Sequence, residues 1–89
     1  MTSKTNYGQS GCKDATWIKG KIIKNMNPNI WRTDAGNNLI QYSEYNNNES
    51  KYCWDIDHII PKSSGGTDYI TNLQPLQSKM NRGCGNSEN

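Results

Sequence analysis

A run of aromatic and β-branched residues at 52–60, cut off by Pro61 and followed by Gly65 and Gly66, constrains this chain more than any other feature. Tyr52, Trp54, Ile56, Ile59 and Ile60 suit an extended, partly buried strand. Proline has no amide hydrogen to extend a ladder, and glycines at 65 and 66 allow the chain to turn back. The next apolar stretch, residues 73–76, is short enough to be only a second strand. Two strands bridged by a polar loop are therefore expected. They must find cover elsewhere, because a lone hairpin is marginal in water.

Cover has to come from few residues. The chain has 89 residues, of which 31% are apolar, so it predicts one domain with a thin core. Residues 1–12 lack periodicity and read as a flexible arm, and residues 86–89 as a flexible tail, leaving 13–85 as the domain. Asp14 is a plausible cap for a helix running to about Lys24, with Trp17, Ile18 and Ile22 on one face and lysines on the other. Residues 25–29, rich in asparagine, end it. Residues 30–34 and 38–42 read as strands around a turn in which Gly36-Asn37 supplies positive φ. Residues 62–67 read as a flexible loop, and 78–83 as a final short helix. The fold class is α+β, with an N-terminal helix and a β-hairpin ahead of the strand pair.

Several classes are excluded or disfavoured. No stretch approaches the roughly 20 apolar residues of a membrane span, and the first residues lack the apolar run of a secretory signal. The expected setting is intracellular: cytoplasmic, or nuclear for a eukaryotic host or virus. Three cysteines without a Cys-x-x-Cys pair do not supply a four-ligand zinc site, and a disulfide framework is not expected inside a cell. The net charge of +2 is modest, but Lys19, Lys21, Lys24, Lys62, Lys79 and Arg82 form two groups suited to a polyanion.

The single histidine, His58, follows Asp57, and Asn72 and Asn81 stand 14 and 23 residues beyond it. Imidazole is a natural base near neutral pH. A carboxylate from Asp57 and an amide oxygen from Asn81 would be a sparse, hard donor set that leaves room for water and a phosphate, as Mg2+ prefers. Asn72 could accept the Nδ1 proton of His58 and so fix its tautomer. Neighbours on a strand point to opposite sides, so Asp57 and His58 share a site only if the strand ends or bends there.

The blocks Asp57-His-Ile-Ile-Pro-Lys-Ser-Ser-Gly-Gly66, Asn72-Leu-Gln-Pro-Leu76 and Asn81-Arg-Gly83, spread over residues 52–85, resemble the HNH endonuclease family with its ββα-metal, or His-Me finger, core. The resemblance implies Asp57 and Asn81 as metal ligands, His58 as general base and Asn72 as its orienting partner. It implies a DNA nuclease that nicks or cuts with weak specificity, using Mg2+, or else Mn2+ or Ni2+. A homodimer or a larger complex would raise that specificity. A silent nucleic-acid-binding module and an RNA-directed nuclease are the alternatives. Many relatives carry a zinc knuckle, but Gln77 and Met80 stand where its cysteines would be, so no structural zinc is expected. Packing of Trp17, Trp31, Trp54 and Leu76 must take its place. Asp55, where glutamate is usual, has Arg32 as a candidate ion-pair partner.

Overall fold

The computed structural model describes residues 6–78. Their order is a short helix α1 (Cys12–Trp17), a hairpin β1 (Trp31–Thr33) and β2 (Leu39–Gln41), then a ribbon β3 (Trp54–His58) and β4 (Leu73–Gln77). The two antiparallel pairs form separate sheets. The mixed α+β class expected from the sequence is present. The helix expected at 78–83 falls beyond the described residues.

The ribbon is regular from end to end. Trp54 faces Gln77, Asp57 faces Gln74 and His58 faces Leu73. Pro75 sits opposite Ile56 within β4. A two-stranded ribbon tolerates it because every other amide points outward, where no ladder bond is lost. Alternation then sorts the side chains of β3, with Trp54, Ile56 and His58 on one face and Asp55 and Asp57 on the other.

The first hairpin and α1 cover the Trp54 face. Trp17, Ile40 and Trp54 form the buried cluster, with Tyr42, Tyr45 and Ile56 packed around it. The rings of Trp17 and Trp54 lie 5.1 Å apart, and those of Tyr45 and Trp54 4.8 Å apart, in the tilted arrangements that aromatic quadrupoles favour. Trp31 and Leu76, expected in this core, are only half-buried; Trp31 instead meets Tyr52 edge-on at 5.1 Å. Ile40 and Leu73 occupy the buried positions.

A buried carboxylate ties the two sheets together. Asp34 is fully enclosed; one oxygen accepts the amides of Gly36 and Asn38 at 3.0 and 2.9 Å and closes the β1–β2 turn. The other accepts the amide of Gln77 at 2.9 Å, where β4 ends. In that turn it is Asn37, at φ 66°, that takes the left-handed conformation. Arg32, also buried, gives its guanidinium to the carbonyls of Ile18, Gly20 and Pro28.

The helix is the main departure from expectation. It stops at Trp17, and the segment beyond Gly20 is irregular and turned, with Lys21 bridged to Thr33. Glycine costs about 1 kcal/mol in a helix interior. The apolar face that would repay it is absent, since Ile18 and Ile22 are both about two-thirds exposed. Gly11, rather than Asp14, takes the N-cap position. Residues 6–11 fold back in turns instead of leaving as an arm, and Tyr7 donates its amide to the Asp68 carbonyl at 2.8 Å. Cys53 is disulfide-bonded, against the expectation of none, while Cys12 is a buried free thiol.

Candidate active site

The candidate site stands at the loop end of the ribbon, where β3 gives way to the segment preceding β4. His58 is the last residue of β3, and its side chain is 19% exposed. Its Nε2 lies 2.8 Å from Oδ1 of Asp68. Tyr7 lies against the imidazole with ring centroids 4.9 Å apart. Nδ1 has no hydrogen-bond partner among the described residues.

Asp68 is held from two sides, because Lys62 donates to its Oδ2 at 2.9 Å. The hydrogen bond from Lys62, and secondarily that from His58, holds the Asp68 carboxyl below the usual carboxylate range. A lowered value means that this pairing is fully present above the ordinary carboxylate pKa and fades as pH falls through the depressed one.

Asp57 points to the other face of the ribbon. Gln74, directly across the ladder, donates its amide to Oδ2 at 2.9 Å. Oδ1 has no partner among the described residues, so a half-buried, hard oxygen is presented at the ribbon's end. A divalent cation suits a hard donor of that kind, and Asn81, the other ligand expected from the sequence, lies outside the described residues. Among the described residues, no three His, Cys, Asp or Glu side chains group as a metal site. A set of one carboxylate and one carboxamide is not such a group.

Asn72 does different work from that expected of it. It ends a 3₁₀ turn (Ile70–Asn72) and is buried. Its Oδ1 accepts the amide of Ile60 at 2.9 Å, and its Nδ2 donates to the carbonyls of Ile60 and Thr67 at 3.0 and 2.8 Å. All three bonds go to backbone, so the expected bond to the imidazole is replaced by a clasp across the loop. The loop is correspondingly ordered rather than flexible. It contains a 3₁₀ turn (Lys62–Ser64), and a Cβ on Gly66 would fall 1.7 Å from the Ile60 carbonyl oxygen, so only glycine fits. Asn72→Ala removes three hydrogen bonds made by a buried side chain, a loss of about 1–3 kcal/mol that urea melts will read as a lower midpoint.

The basic residues are dispersed. Lys19 donates to the Ile70 carbonyl and Lys21 to Oδ1 of Asn37, while Lys62 serves Asp68. Lys24 is exposed, and Lys79 and Arg82 lie outside the described residues. The helix that was to present Lys19, Lys21 and Lys24 on one face does not extend that far. Lys13 sits over the rings of Tyr42 and Tyr45 at 4.4 and 5.1 Å. Lys13, Tyr7, Tyr45 and Ile56 help line an open cavity of about 320 Å³ on the His58 face. The sequence reading gave Asp68 and Gln74 no part in the site. Asp68 was findable, as the only acidic residue between His58 and Glu88.

Residues 44–86, just under half of the chain, match the family described as HNH endonuclease, which supports membership of that family through this segment. The matched stretch contains Asp57, His58, Asp68, Asn72 and Asn81. No curated protein and no solved structure matched the chain.

Proposed function

We propose that this protein is a divalent-cation-dependent endonuclease that hydrolyses DNA phosphodiester bonds, nicking or cutting with weak specificity. The observation that carries this reading is that Asp57 and His58, though on opposite faces, are the last two residues of β3 at the loop end of the ribbon, where the strand stops, each with one side-chain atom unclaimed among the described residues. In this reading the ribbon and the segment from Ser78 onward make the ββα-metal core.

His58 takes a proton from the attacking water as the water oxygen bonds to phosphorus. The bond from phosphorus to the 3′ oxygen breaks and that oxygen takes a proton from solvent, leaving a 5′ phosphate and a 3′ hydroxyl. Asp57 and Asn81 hold the cation, Mg2+ in the first instance, which when bound offsets charge on the phosphate and the departing oxygen. Asn72 keeps the loop closed so that His58 meets the phosphate from a fixed position. Lys13, Lys24, Lys79 and Arg82 bear on the DNA backbone, contacts that hold a duplex without reading its sequence.

The test is conversion of supercoiled plasmid to open circles by the full chain. Nicking is expected with Mg2+ or Mn2+ and should vanish when EDTA removes the ion. Salt-sensitive DNA binding with no nicking in Mg2+, Mn2+ or Ni2+ would identify a binding module instead. Preferential cleavage of an RNA competitor would reassign the substrate.

A further inference from the structure

We infer that Asp68 is the positioning residue for His58: its carboxylate accepts a hydrogen bond from Nε2–H, keeping the ring proton there, and so leaves the Nδ1 lone pair as the working base. This rests on His58 being the general base. An ionised carboxylate can only accept hydrogen bonds, so a 2.8 Å contact to Nε2 places the proton on the ring nitrogen. Neutral imidazole carries one such proton, and Nδ1 is then the basic atom. That nitrogen has no hydrogen-bond partner among the described residues, as a base awaiting water requires.

The acceptor is itself fixed. Lys62 holds Oδ2 at 2.9 Å, and the Asp68 carbonyl receives the Tyr7 amide at 2.8 Å. The Tyr7 ring lies against the imidazole and limits its rotation about the Cβ–Cγ bond. When Nδ1 accepts the proton of the attacking water, the ring becomes a cation, and the carboxylate at Nε2 faces that charge. A purely stabilising role is a poor explanation of the cluster. Asp68 and Lys62 have side chains 38% and 59% exposed, and exposed ion pairs contribute little to folding.

The experiment compares wild type, Asp68→Ala and Asp68→Glu by ring NMR and by nicking kinetics. The chain has one histidine, so ring nitrogen signals need no assignment among neighbours. In mildly alkaline solution, wild type should show a downfield, exchange-protected proton on Nε2, and Asp68→Ala should lose it. Nicking by Asp68→Ala should fall in kcat by about 10–100-fold with KM little changed, and Asp68→Glu should recover part of the loss. A wild-type ring proton on Nδ1, an Asp68→Ala variant nicking at the full rate, or a loss expressed only in KM would each overturn the assignment. The NMR arm needs no turnover, so a wild type that fails to nick would remove the nuclease reading while the ring still decides the contact.

Discussion

His58→Ala should abolish metal-dependent nicking while leaving the protein folded and able to bind DNA. A positioned general base contributes about 10²–10⁴-fold to rate, and the chain has no second histidine to substitute for it. The cost to folding should be small, because the imidazole lies at the ribbon's end rather than in the Trp17–Ile40–Trp54 cluster. The measurement is the initial rate of open-circle formation, run beside a DNA-binding titration and a circular dichroism melt. Full nicking by the variant would remove His58 from the chemistry. Loss of nicking accompanied by loss of the melt would instead reveal a structural residue.

Trp54→Ala should be the most destabilising single change. The side chain is fully buried, packs against Trp17, Tyr42 and Tyr45, and donates its indole N–H to the Tyr42 carbonyl at 3.2 Å. Truncating a buried tryptophan costs about 3–5 kcal/mol. Small domains hold only about 5–15 kcal/mol in total, so the variant should be largely unfolded at 37 °C. Urea denaturation followed by far-UV circular dichroism reads this directly. A midpoint close to wild type would mean that the first hairpin does not rest on β3 as described.

The contrast between these residues shows what the sequence could and could not reveal. Both hairpins were legible because their signals are local: a left-handed Asn37 between short strands, and Pro61 with Gly65 and Gly66 between longer ones. The family segment was legible because its three blocks keep their order and spacing. The helix was over-extended because the recurrence of Trp17, Lys21 and Ile22 fits a helical period whether or not anything covers it. What decides the matter is tertiary: Lys21 finds Thr33, and Ile22 is left in solvent.

The roles within the site were harder to read than its membership. Asn72 was recognised as a site residue but given the wrong partner. Its three bonds reach Ile60 and Thr67, 12 and 5 residues away, through a loop geometry that no periodicity encodes. Asp68 went unremarked because it follows a glycine pair and looked like part of a turn. Its relation to His58 appears only when the loop is closed.

The enclosed Asp34 has a consequence for what counts as a working unit. The stretch that carries the HNH signature begins at residue 44, yet the amide at the end of β4 is anchored by a carboxylate ten residues upstream of that start. Trp17 and Ile40, which shield Trp54, also precede it. A fragment cut to the matched segment alone would carry Asp57 and His58 but lack the residues that brace their ribbon. On this packing, the matched segment depends on the forty-odd residues in front of it.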